Sequence, residues 1–154
     1  MSYKFYLKKL TSNELGYRNN KLVTGQIFYI SKQAVSFFPK LSTSINNDSI
    51  NLQLSVDYRD HPIFVNMVYH NDKYNRIDGT RDEFRIYLNR DVAPDDFFFR
   101  PNDIVIFEKI SENYYSLKKF REGDFGFESL DELIKTSKLR GAHALLDDLI
   151  LKLI

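Results

Sequence analysis

A metal-dependent nuclease commonly places an acid two residues before a lysine, so that carboxylate and ammonium converge on the metal and the attacking water. No Asp-x-Lys or Glu-x-Lys triplet occurs in the 154 residues. The nearest approaches are Glu83-Phe84-Arg85 and Asp57-Tyr58-Arg59, where arginine replaces lysine and does not readily deprotonate to act as a base. Asp57, Asp60 and Glu83 could at most form a degenerate metal site. The histidines, His61, His70 and His143, lie far apart and none begins a His-x-Lys element; His61, before Pro62, reads as a turn residue. Glycines 16, 25, 79, 123, 126 and 141 form neither a Walker A loop nor a dinucleotide fingerprint. The expectation is no catalytic residue, metal or cofactor in this chain, with magnesium belonging to a separate nuclease domain if there is one.

Binding chemistry is better represented. Residues 11–21 (TSNELGYRNNK) and 71–85 (NDKYNRIDGTRDEFR) interleave Arg and Lys with Asn, Asp or Glu and a tyrosine. That mixture suits base edges, since Arg can donate two bonds to guanine, Asn can pair with adenine and a carboxylate can accept from cytosine. Lysine alone would suit only phosphates. Composition by itself favours two solvated loops.

The elements that must position these segments read as β. Runs rich in β-branched and aromatic residues at 4–9, 24–29, 50–58, 63–69, 84–88, 103–109 and 114–120 are separated by Asn, Asp, Ser and Gly clusters. They suggest a small barrel or sandwich, and each polar segment bridges two of them. A short helix is expected over residues 31–37, capped by Ser31 and stopped before Pro39. The tail differs: Ser129-Leu130-Asp131-Glu132 is a capping-box sequence that should start a helix. After Gly141, Leu145, Leu146, Leu149, Ile150 and Leu153 fall on one face of a second amphipathic stretch. The expected division is a barrel at 1–121 and a helical extension at 122–154. That extension would pack on the barrel, on a partner, or on a second copy as a homodimer.

With 43% hydrophobic and 15% aromatic residues, the chain supports one core and not two. The absence of cysteine excludes disulfides and thiolate metal sites. A reducing setting costs such a chain nothing, and the expected compartment is the cytoplasm. No run of eighteen apolar residues suggests a membrane span. The net charge of +1 decides little; its distribution says more. Residues 122–154 carry seven acids and four Lys or Arg, leaving eighteen basic against fourteen acidic residues in 1–121.

Lys9-Leu10-Thr11-Ser12-Asn13-Glu14-Leu15-Gly16, followed by Gly25 and Ile27-Phe28-Tyr29-Ile30-Ser31, resembles the opening of the EcoRII N-terminal and BfiI C-terminal DNA-binding domains. Those domains begin with a similar leucine-x-alanine-asparagine-acid-x-glycine element and a strand leading into a short helix. Gly79-Thr80-Arg81-Asp82-Glu83-Phe84-Arg85 is similar to that family's threonine-arginine-x-glutamate-x-arginine segment, and Phe38-Pro39 falls after the helix. The resemblance spans residues 3 to about 121. It implies a plant-type DNA-binding pseudobarrel, of about seven strands, whose two arms grip the major groove like a wrench.

On that reading 11–21 is the N-arm and 71–85 the C-arm. Arg81, Glu83 and Arg85 match positions implicated in DNA binding. Asn13, Arg18, Asn19, Asn20, Arg81, Asp82, Glu83 and Arg85 become candidate base readers. Lys9, Thr11, Ser12, Lys21, Lys73, Tyr74, Asn75, Arg76 and Thr80 become candidate phosphate contacts. The implied partners are double-stranded DNA and a restriction-nuclease domain in the same polypeptide or complex. Two departures separate this chain from its family: Lys21-Leu22-Val23-Thr24 stands where members have small residues and histidine-glutamine, and Phe84 takes a basic position. The target sequence is therefore expected to differ from EcoRII's. The rival readings are a self-sufficient nuclease with the degenerate site, or a protein-interaction barrel.

Overall fold

The computed structural model describes residues 3–137 and 139–147. Its strands are β1 (Phe5–Lys9), β2 (Tyr17–Arg18), β3 (Lys21–Leu22), β4 (Ile27–Ile30), β5 (Ser49–Ser55), β6 (Ile63–His70), β7 (Glu83–Tyr87), β8 (Ile104–Ser111), β9 (Tyr114–Phe120) and β10 (His143–Leu146). Two short helices, α1 (Asp72–Asn75) and α2 (Phe127–Lys135), and a 3-10 turn at Val35–Phe37 complete the described elements. Eight strands form one sheet in the order β10-β1-β8-β9-β5-β6-β7-β4, and β2 pairs with β3 alone. Every neighbour in the large sheet is antiparallel except β5 and β9. The expected mainly-β pseudobarrel is the observed architecture.

The sheet curls around one large core. Tyr6 and Leu10 at β1, Phe28 and Ile30 on β4, Leu52 and Leu54 on β5, and Phe84 and Ile86 on β7 all enter it. Period-two alternation does this, sending every second side chain inward and leaving its neighbours outside. Tyr6, Phe38, Phe107 and Tyr115 interlock there, with the Phe38 and Phe107 rings edge to face at 5.4 Å.

β1 and β8 are apolar on both faces for a reason the sequence hid. Their other side, Phe5, Leu7, Ile104 and Ile106, meets Phe127, Leu130 and Ile134 of α2 in a second cluster. α2 begins two residues before the capping-box serine. Its N-cap is Gly126 in the left-handed region (φ 92°), and Phe127, the first helical residue, packs in that cluster.

The second amphipathic helix is not formed at 143–146, which instead pairs with β1 as β10. Ala144 and Leu146 face the α2 side, whereas Leu145 packs against the barrel core. A Leu-Leu doublet at helical spacing serves equally well on a strand buried on both faces. Leu149, Ile150 and Leu153 lie outside the described residues. Deleting residues 141–154 is therefore expected to strip β1 of a partner and to lower stability by roughly 2 kcal/mol, from the apolar burial lost. Thermal unfolding of the truncated chain checks this, and an unchanged melting temperature would contradict it.

The expected helix at 31–37 shrinks to a turn closed by the Ala34 N–H on the Ser31 carbonyl (2.9 Å), followed by the 3-10 segment. The strand expected from residue 24 begins at Ile27, and the one expected to reach residue 58 ends at Ser55.

Candidate functional site

Both polar segments attach to the same ribbon. In the β4–β7 pair Ile27 lies opposite Tyr87 and Ile30 opposite Phe84. The first segment enters at the Ile27–Tyr87 end and the second at the Glu83 end. Between them the outward positions carry Tyr29, Glu83, Arg85 and Tyr87, continued by His70 and Asn66 on β6. At ~3.3 Å per residue, the four steps from Glu83 to Tyr87 span roughly 13 Å.

The first segment hangs on Glu14, whose side chain is fully buried. One carboxylate oxygen, Oε2, accepts the Thr11 N–H (2.8 Å) and hydroxyl (2.9 Å). The other, Oε1, accepts the Tyr29 N–H (3.0 Å) and meets Lys8 Nζ (3.0 Å). The Glu14 carbonyl takes the Ile27 N–H (2.9 Å). Glu14 thus occupies two donors on the free edge of β4, where no neighbouring strand pairs, and ties that edge to β1. Gly16 (φ 79°) lets the two limbs of the segment touch, since a Cβ there would lie 2.4 Å from the Thr24 carbonyl oxygen. Beyond it β2 and β3 form a two-residue hairpin whose loop is Asn19 (φ 52°) and Asn20 (φ 62°), the left-handed pair that a type I′ turn requires.

The second segment is rooted in Asn71, which is buried. Its amide donates to the Ser42 (2.9 Å) and Ile45 (2.8 Å) carbonyls, and its side-chain oxygen accepts the Asn47 N–H (2.8 Å). Asp72 Oδ1 accepts the Arg81 N–H (2.9 Å), while Lys73 N–H reaches the Arg81 carbonyl (3.1 Å). Asp82 fastens the return: it accepts from Tyr69 (2.5 Å) and Tyr74 (3.3 Å) and pairs with Lys32. Burial alone would raise its pKa, but these hydrogen bonds and the Lys32 charge hold it below the ordinary carboxylate value.

The structure sorts the candidate residues. Asn13, Arg18 and Arg85 come together, with Tyr29 and Tyr87, in a cleft of about 310 Å³ between the first segment and the ribbon. Arg18, Lys21, Asn19, Asn20, Thr11 and Ser12 are exposed there. Lys73, Tyr74, Arg76, Thr80 and Arg81 are exposed at the other end, and Glu83 is partly buried beside them. Arg85 lies over the Tyr29 ring (5.3 Å) and donates to Glu83 (2.6 Å).

Several candidates are engaged within the fold, among them Thr11 on Glu14, Tyr74 on Asp82 and Arg85 with Glu83, as above. Lys9 pairs with Asp131 of α2 (3.0 Å), Asp82 is the fastening just described, and Asn75 donates to the Thr43 and Asn71 carbonyls. Asp57 and Asp60 precede β6, whereas Glu83 lies opposite His70 at its far end, so the degenerate metal site is not assembled. Among the described residues no group of three His, Cys, Asp or Glu side chains is placed to hold a metal. No described helix is long and apolar enough to cross a membrane.

Tyr29, Tyr87 and His70 were missed in the sequence. Strand alternation was the available signal, because each sits between inward-facing residues. His70 Nε2 lies 2.6 Å from the Tyr87 hydroxyl, and its Nδ1 is buried with no partner. Burial lowers its pKa, helped by Arg81 and Arg85; burial and then Lys8 do the same for His143. In the unfolded chain both take up a proton near the ordinary value of about 6.5, in the folded chain only at lower pH. Stability is thus complete above that pH and is lost as pH falls toward the depressed folded values. A melting temperature that declines below about pH 6.5, and declines less in His143→Gln, is expected; a flat profile between pH 7 and 5 would exclude the effect.

Comparison with solved structures gives the fold its relatives. The chain is similar to the N-terminal domain of Helicobacter pylori LlaJI.R1, with a TM-score of 0.63 and 17% identity over 95% of this chain and 99% of that one. It is also similar to the B3 domain of the UbaLAI restriction endonuclease, solved with cognate DNA, with a TM-score of 0.51 and 17% identity over 94% and 87%. No protein-family model and no curated protein matches the sequence.

Proposed function

We propose that this B3-like pseudobarrel reads a specific sequence in duplex DNA, as the specificity domain of a restriction endonuclease whose nuclease centre lies in another domain of the same polypeptide or complex. The observation that carries the reading is the pair of polar loops at opposite ends of one ribbon. The ribbon between their roots, roughly 13 Å long from Glu83 to Tyr87, is close to the ~12 Å width of the major groove. Such loops can straddle the groove walls while Arg85, Tyr29 and Tyr87 face its floor. Arg18 and Asn13 in one loop and Arg81 in the other supply base-edge donors. Lys21, Lys73 and Arg76 supply charge for phosphates, which positions the duplex without reading it. The likeness to a restriction endonuclease B3 domain solved with its DNA supports the same partner. The corresponding compartment is the cytoplasm.

Selection of bound duplexes from a random pool tests the proposal. One enriched sequence is expected, bound with an affinity that falls linearly in log–log against salt. With magnesium added, the selected duplex is expected to stay uncut. Absence of any enriched sequence would refute sequence-specific recognition. Cleavage that survives repurification and disappears on replacing Asp57 or Glu83 would place a nuclease in this chain.

A further inference from the structure

Ile77 is the most exposed large apolar residue described, at 103% of its reference area. It sits at the tip of the second loop, between the exposed Arg76 and Asp78. Single exposed apolar side chains are common, but this one is held out by a tight frame. The Arg76 N–H bonds the Asp72 carbonyl (2.9 Å), and the Gly79 N–H bonds the Arg76 carbonyl (3.2 Å). A Cβ on Gly79 would lie 1.9 Å from the Asp72 carbonyl oxygen, so the loop is closed down on α1 as far as glycine allows. The Asp72–Arg81 and Lys73–Arg81 backbone bonds pin its base. Held in this loop, Ile77 is fully exposed and contributes no burial to the fold.

Arg76 and Arg81 bring the tip toward an acidic polymer. In the major groove the apolar group that distinguishes one base pair from another is a methyl on pyrimidine C5. We infer that Ile77 reads the C5-methyl of one pyrimidine in the target, an inference that rests on the DNA-recognition reading above. Thymine and 5-methylcytosine both offer that group.

The test uses the full chain and the duplex selected from the random pool. Each thymine in turn is replaced by deoxyuridine, which removes only the methyl, and each cytosine by 5-methylcytosine, which adds only one. Wild-type protein is expected to show one position where the methylated duplex binds about three- to ten-fold tighter than its unmethylated counterpart, the scale of one buried methyl. Ile77→Ala, which removes no internal contact, should bind both forms of that duplex equally and melt with the wild type. Sensitivity in the deoxyuridine series identifies thymine as the source; sensitivity only in the other series identifies 5-methylcytosine.

Sequence-specific binding with no methyl-sensitive position, or the same sensitivity in Ile77→Ala, would overturn this inference and leave DNA recognition standing. A loss in Ile77→Ala that is equal on all duplexes would also overturn it, since a wedge or a general contact behaves that way. If the pool yields no enriched sequence, the recognition proposal itself falls, and this inference with it.

Discussion

Glu14→Ala is expected to cost about 3–5 kcal/mol, the usual consequence of removing one partner of a buried ion pair. The substitution would leave the ammonium of Lys8, whose side chain is only 10% exposed, without its counter-charge. It would also leave the Thr11 and Tyr29 N–H groups without the acceptor they now share. For a domain whose total stability is of order 5–15 kcal/mol, this is a large fraction. The melting temperature should fall by roughly 6–20 °C. Glu14→Gln, which keeps one acceptor oxygen, should lose less. Asn13→Ala, one residue away but exposed, should stay within ~0.5 kcal/mol of wild type while weakening DNA binding. A Glu14→Ala protein that melts with the wild type would show that the β4 edge is held by something else.

The double variant Arg18→Ala/Arg81→Ala should lose roughly 2–6 kcal/mol of binding to the selected duplex, because each bidentate base contact is worth ~1–3 kcal/mol. The two arginines belong to loops at opposite ends of the ribbon, far enough apart for their losses to add. Each single variant should relax the preference at a different base pair. Lys73→Ala or Arg76→Ala should weaken all duplexes about equally and reduce the salt slope by about one. The Arg18 side chain makes no hydrogen bond or ion pair among the described residues, and the Arg81 side chain holds only a 3.5 Å approach to Asp72; the backbone bonds of both survive replacement by Ala. Neither replacement should therefore disturb the fold. Binding competition between selected and scrambled duplexes decides the matter: if Arg81→Ala and Lys73→Ala lose affinity in the same sequence-independent way, the roles assigned here are wrong.

The strands were visible in the sequence because alternation is a local property. Residues 63–69 and 84–88 could be assigned from Ile63, Val65, Met67, Phe84 and Ile86 alone, and all five are buried. The positions of the two polar loops were visible for the same reason, as interruptions between such runs. What holds those loops in place was not. Glu14, Asn71 and Asp82 look like any solvated polar residue in a row of them, and only the folded chain shows that the first two are buried hubs and the third a fastening. The tail failed differently. A strand covered on both faces has no alternation to detect, so Leu145 and Leu146 read as one helical face when each belongs to a different cluster.

The placement of β1 also fixes the order in which the molecule can be completed. Both of its neighbours, β8 and β10, come from the last third of the sequence. At a synthesis rate of about 5–20 residues per second, β1 emerges roughly 5–20 s before its first partner strand has been made. During that interval Phe5, Tyr6 and Leu7 have neither partner strand, and a segment apolar on both sides invites pairing between chains. Native pairings of such wide sequence separation also form slowly once the chain is complete. Yield in a cell should therefore depend on holdase chaperones and temperature more steeply than the stability of the finished protein would suggest.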